Sequence, residues 1–204
     1  MRKKLLYLLL VVLMLSLTAC YSSEPYQDVA KEEESVQTTD ESTQTTDGRP
    51  AVTADSYETA IKFMFNTLRN DFTKEELRAM YPEACWTHFA EEKGKSFDDI
   101  YVAFSKRMAE DWKEIEENVG EGADIKYELL DRRDYQGEAY EELKANLGKK
   151  FGIDHDSFGI CYEVQLKKAV VGKQQENIFA QVYHVMEIDG KWYVYEVLTN
   201  LPVV

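Results

Sequence analysis

The chain has 204 residues, 44% of them apolar and 30% charged, which suits one small globular domain with a single core. Acidic residues outnumber basic ones 38 to 24, for a net charge of −14. That balance repels nucleic-acid phosphates and anionic lipid surfaces, so it excludes a nucleic-acid partner held by charge. Solubility accounts for the acidity; attraction of calcium or of cationic wall components is the competing reading.

The chain opens with Arg2, Lys3 and Lys4, runs apolar from Leu5 to Leu17 broken only by Tyr7 and Ser16, and reaches Leu17-Thr18-Ala19-Cys20. This is the order of a secretory signal, and the apolar run is shorter than the roughly 20 residues a membrane-spanning helix needs. Leu17 to Cys20 resembles the lipobox of bacterial lipoproteins, with Thr18 a tolerated variant. The resemblance implies that residues 1–19 are a signal peptide, that Cys20 is diacylated on sulfur, and that cleavage leaves Cys20 first. Burial of two acyl chains is stable where one is marginal, so the expected place is the extracytoplasmic face of the cell membrane, lipid-anchored. An ordinary signal peptide with an incidental cysteine is the alternative.

Residues 20–54 are rich in Ser, Thr, Gln, Glu and Asp, with Thr38-Thr39-Asp40 echoed at Thr45-Thr46-Asp47. So little apolar surface cannot offset the entropy of ordering, and the stretch reads as a disordered acidic tether spanning on the order of 30 Å.

Residues 55–204 read as the folded domain. Tyr57, Ile61, Met64, Phe65 and Leu68 share one helical face, with Asp55 or Ser56 as cap. Thr73-Lys74-Glu75-Glu76 has capping-box spacing and starts a second helix that Pro82 stops. A third piece runs from Glu83 to Lys93 and closes at Gly94. Ser96 caps a long helix with Ile100, Phe104, Met108 and Ile115 on one side, ended by Gly120 and Gly122.

The second half alternates with period two. Ile125, Tyr127 and Leu129 form one half-buried strand; Ile160, Tyr162, Val164 and Leu166 form another. Between them Ala139 to Phe151 reads as a helix with Tyr140, Leu143, Leu147 and Phe151 on its stripe. Asp189-Gly190 supplies the turn of a hairpin from Ile178 to Leu198. A two-residue turn sets Met186 opposite Tyr193, His184 opposite Tyr195, Tyr183 opposite Glu196, Val182 opposite Val197 and Gln181 opposite Leu198. Both hairpin faces are apolar enough to want cover, from the helices on one side and from the extra helix or a second copy on the other.

A helical first half, a four-stranded second half and the closing Asp189-Gly190-Lys191-Trp192-Tyr193-Val194 resemble the nuclear transport factor 2-like superfamily, which includes ketosteroid-isomerase-like and SnoaL-like domains. The resemblance covers about Thr53 to Val204. It implies an α+β fold in which N-terminal helices pack in a curved antiparallel sheet of about four strands, a cystatin-like cone with a pocket at its open end. The helix at 139–151 departs from the pattern. The family's isomerases use a carboxylate base with an oxyanion hole made of a Tyr and an Asp kept protonated by its apolar site. That set does not map onto this chain.

Tyr183, His184, Tyr195 and Glu196 are the candidate pocket residues, because they would bring polar groups onto an apolar sheet. A solvent-facing Glu196 and a core His184 bonded to a neighbour are the ordinary alternatives. Asp154-His155-Asp156 reads as a solvated turn, since neighbours in sequence rarely converge on one ion, and His88 stands alone on its helix. Cys85 reads as a small buried hydrophobe; Cys85 and Cys161 are too few for a disulfide framework, although they are able to pair outside the cell. No zinc spacing, phosphate loop, nucleophile elbow or dinucleotide fingerprint occurs, and no cofactor is expected. The leading expectation is a non-catalytic ligand-binding or protein-assembly domain, its partner a small ligand, an envelope protein or a second copy met through the outer sheet face. An isomerase or dehydratase using Glu196 or His184, and an acidic immunity or inhibitor protein, are the alternatives.

Overall fold

The helices begin where the sequence supplies caps. The Ser56 hydroxyl accepts the Thr59 N–H and opens α1 (Tyr57–Leu68). Thr73 and Glu76 exchange side-chain-to-backbone bonds at the head of α2 (Lys74–Ala79), and Ser96 and Asp99 do the same at the head of α4 (Phe97–Val119). Between them Pro82 occupies the N-cap position of α3 (Glu83–Lys93), which closes on a left-handed Gly94. The computed structural model describes residues 52–173 and 176–200. The leader read over 1–19, Cys20 and residues 20–51 of the tether lie outside the described residues.

The second half supplies β1 (Asp124–Asp134), α5 (Glu138–Phe151), a 3-10 turn (His155–Ser157), β2 (Phe158–Val171), β3 (Glu176–Ile188), β4 (Lys191–Val194) and α6 (Tyr195–Thr199). The strands form one antiparallel sheet in the order β1-β2-β3-β4, so the fold is α+β with helices and a four-stranded antiparallel sheet. No helix among the described residues is long and apolar enough to cross a membrane.

One sheet face packs on α1. Phe65 stacks on Tyr127 at 4.1 Å between ring centres, and Tyr57 meets Tyr162 and Trp192 edge-on. Register places Val164 opposite Tyr183 on this face, and both are buried. The opposite face holds Cys161 opposite Met186, buried at the end where α5 lies; there the Tyr140 hydroxyl donates to the Gly159 carbonyl. Ala54, the last tether residue by composition, is a core residue whose carbonyl accepts the Trp192 N–H.

Two sequence expectations are corrected. Ile160, read onto the half-buried stripe of Tyr162, Val164 and Leu166, is instead 51% exposed, while Cys161 is buried. An extra residue between Phe158 and Cys161 shifts the β2 register there, and Ile160 falls in that irregularity with no partner in the register. The hairpin also stops early. Asp189 and Gly190 both adopt positive φ, and the pairs Ile188–Lys191, Glu187–Trp192, Met186–Tyr193 and Val185–Val194 form as read. Beyond Val194 the chain coils into α6, which buries Leu198, so His184–Tyr195, Tyr183–Glu196, Val182–Val197 and Gln181–Leu198 are not strand pairs.

Lys168 is only 8% exposed, on the α1 face of β2 between Tyr127 and Phe179 in register. Burial alone holds its ammonium below the usual lysine range. A folded pKa below the unfolded one means that the unfolded chain binds more protons between the two values. The resulting cost is present in full below the depressed pKa and fades as pH rises to the ordinary lysine value. Lys168→Met is expected to raise stability by about 1 kcal/mol at pH 7, with the gain shrinking toward about pH 11. Urea melts at both pH values check this, and a gain independent of pH would show that packing alone is responsible.

Cys85 and Cys161 are both buried and unpaired, and burial pushes each thiol up to about 12. Alkylation of these two at about pH 8 is expected to run about a thousandfold slower in the native protein than in denaturant, because the thiolate is the reactive form. Labelling at equal rates in the two states would contradict their burial.

Candidate functional site

The polar groups of the sheet converge where β4 gives way to α6. His184 is the last β3 residue before the β4-paired segment, and the helical turn at Tyr195 swings Glu196 back across the strand edge. One Glu196 carboxylate oxygen lies 2.8 Å from His184 Nδ1, and the two oxygens accept the His184 backbone N–H at 3.1 and 3.2 Å. Glu196 thus replaces the strand that ended at Val194. The register of β2 on β3 brings Glu163 opposite His184, its carboxylate 3.9 Å from Nε2, and Arg133 of β1 pairs with Glu163 from the other side. The Tyr135 ring lies 4.4 Å from the imidazole, and Tyr195 approaches it edge-on at 6.4 Å. The cluster is half-buried: His184, Glu163 and Glu196 side chains are 20%, 19% and 27% exposed.

Of the four sequence candidates, His184, Tyr195 and Glu196 come together and Tyr183 does not. Neighbours in a strand point to opposite faces. Tyr183 is buried on the α1 side with its hydroxyl donating to Gln181 Oε1 at 2.8 Å, and burial followed by the Glu196 charge pushes its phenol above the usual range. Glu163, Arg133 and Tyr135 escape a reading of the sequence because only the β1-β2-β3 register brings them beside His184.

The arrangement of a carboxylate on Nδ1 with Nε2 toward a second carboxylate fixes the ring and leaves it able to relay a proton. A cleft with about 190 Å³ of empty space lies elsewhere, among α1, α2, β4 and α6, lined by Phe63, Met64, Met80, Trp192 and Val197.

The other sequence candidates have local partners. The Asp154 carboxylate accepts the Asp156 N–H to cap the 3-10 turn, and His155 Nε2 lies 2.9 Å from Glu141. The His88 ring packs edge-on against Phe151 and lies near Glu92. Among the described residues no group of three or more His, Cys, Asp or Glu side chains is disposed to hold a metal ion.

No family model matches the chain, and no curated protein or solved structure matches it.

Proposed function

We propose that the chain is a membrane-anchored extracytoplasmic lipoprotein whose α+β body is a non-catalytic binding or assembly module of the cell envelope. The anchor follows from the basic leader, the short apolar run and Leu17-Thr18-Ala19-Cys20; the acidic stretch behind it acts as a spacer. The body belongs with the nuclear transport factor 2-like cones, its sheet curved around α1; the order of helices followed by an antiparallel four-stranded sheet supports this.

One observation carries the non-catalytic reading: the Glu196 carboxylate is spent on His184 itself, on its N–H and its Nδ1, so the pair acts as a latch between α6 and β3. The same contact also favours the rival, because a carboxylate on Nδ1 is how a proton-relaying histidine is oriented in an isomerase or dehydratase. His184→Gln separates the two. A module keeps its partner binding in this variant, whereas an enzyme loses turnover while remaining folded.

Anchoring is tested on the full chain made in a bacterium with intact lipoprotein processing. Mass spectrometry is expected to find Cys20 at the amino terminus with a diacylglyceryl thioether, and Cys20→Ala is expected to release the protein from the membrane fraction. An unmodified thiol or an uncleaved leader would sink the reading.

A further inference from the structure

The sheet has one long edge that is guarded and one that is not. β1 carries a charge at seven of its eleven residues and a register shift between Leu129 and Asp131, both of which discourage strand addition. At the other side β4 pairs only with Val185–Ile188, so among the described residues Glu176–Tyr183 of β3 has β2 on one flank and no strand on the other. This segment contains no Lys, Arg or Pro. Ile178 and Val182 are 54% and 40% exposed, and Ala180 is exposed between them.

Backbone parity follows from His184, whose N–H points to Glu196 on the β4 side. Donors alternate along a strand, so the N–H groups of Val182, Ala180 and Ile178 point the same way, outward from β2. Their side chains lie on the His184 face, opposite Gln165, Lys167 and Ala169 of β2. The Glu196 carboxylate marks where this open edge ends.

We propose that this edge pairs with the same edge of a second copy, antiparallel about a two-fold axis at Ala180, joining two four-stranded sheets into one of eight. The proposal rests on the assembly reading of the domain and names its partner. The edge is self-complementary in this register. Ile178 faces Val182 of the second copy, and Ala180 faces Ala180 with no bulk between the backbones. Other registers are poorer. Centring on Phe179 sets the Glu176 charge against apolar Val182. Centring on Gln181 asks Ile178 to bond the His184 N–H, which Glu196 already holds. About Ala180 the held N–H falls only at the ends of the pairing, opposite Glu176, so the central pairs Ile178–Val182 and Ala180–Ala180 form without it.

The test uses the full chain in the membrane of the producing bacterium. Hydrogen-bonded antiparallel partners stand about 5.5 Å apart at Cα, within reach of a disulfide or a short bis-maleimide. Ala180→Cys is expected to give a covalent species of twice the chain mass. Gln165→Cys, exposed one strand inward, is expected to give at least about tenfold less. Adding Val182→Lys to Ala180→Cys is expected to cut the dimer at least about tenfold while far-ultraviolet circular dichroism stays unchanged. Equal yields from Ala180→Cys and Gln165→Cys would overturn the proposal. A photo-reactive residue at Ile178 separates the remaining outcomes. Capture of a second copy supports self-pairing; capture of a different envelope protein, or of nothing, overturns it and leaves the reading of the domain as a module to its own test.

Discussion

Phe65→Ala is expected to cost about 3–5 kcal/mol of stability, a large part of the total for a domain of this size. Phe65 is fully buried and lies flat on Tyr127, with an angle of 12° between the rings. It joins the first helix to the first strand. Four residues on, the Arg69 guanidinium donates from Nε to the Ile125 carbonyl at 2.7 Å and pairs with Asp124, so helix and strand are pinned together beside the ring stack. Because that pin limits collapse of the helix into the space left behind, the cavity cost should lie in the upper part of the range. With a urea slope of about 2 kcal/mol per molar, the midpoint should fall by about 2 M with the slope unchanged. Phe65→Leu, which keeps most of the volume, should cost about 1 kcal/mol. A double-mutant cycle with Tyr127→Leu should return a coupling of about 1 kcal/mol for the stacked pair. A loss under about 1 kcal/mol for Phe65→Ala would mean that α1 does not pack on the sheet at this point.

The elements easiest to read from the chain are those whose signals are local. Ser56, Thr73 and Ser96 announce their helices by side-chain bonds to backbone within three residues, and Gly94 and Gly190 announce a stop and a turn by the φ they adopt. Strand lengths are harder. β1 and β2 extend well past the alternating residues of the sequence, because pairing with a neighbour sustains extended backbone through Asp131-Arg132-Arg133 and Lys167-Lys168. The exposure of Ile160 goes with the extra residue between Phe158 and Cys161, which interrupts pairing at the head of β2 and leaves no trace in composition.

The end of β4 eludes a sequence reading for a different reason. Val194-Tyr195-Glu196-Val197 alternates well enough for a strand, and what overrides it is tertiary: a helical turn sinks Leu198 into the core and returns Glu196 to His184. Hairpin register therefore sets Tyr195 beside His184 but puts Glu196 on the other face with Tyr183, whereas the helical turn carries Glu196 to His184. Glu163 requires the β2–β3 register, which no two-residue turn specifies.

Glu196→Ala is accordingly expected to cost about 2 kcal/mol. The carboxylate serves two donors, and bonds to a charged acceptor are worth about 1.5–3 kcal/mol each when shielded. Partial exposure of the side chain, at 27%, lets water recover part of that loss. Glu196→Gln keeps an oxygen for the backbone N–H but gives up the charge, so about 1 kcal/mol is expected. Stability alone does not distinguish a latch from general loosening, and amide hydrogen exchange does. In Glu196→Ala the His184 amide should exchange at least about tenfold faster at conditions where the Val185 amide, on the β2 side of the same strand, is unchanged. Equal acceleration at both positions would mean that the whole β3 segment opens, and that Glu196 does not stand in for the missing strand. If the His184 amide alone is released, the carboxylate is what ends the open edge of β3, and its removal should lengthen that edge by one outward donor.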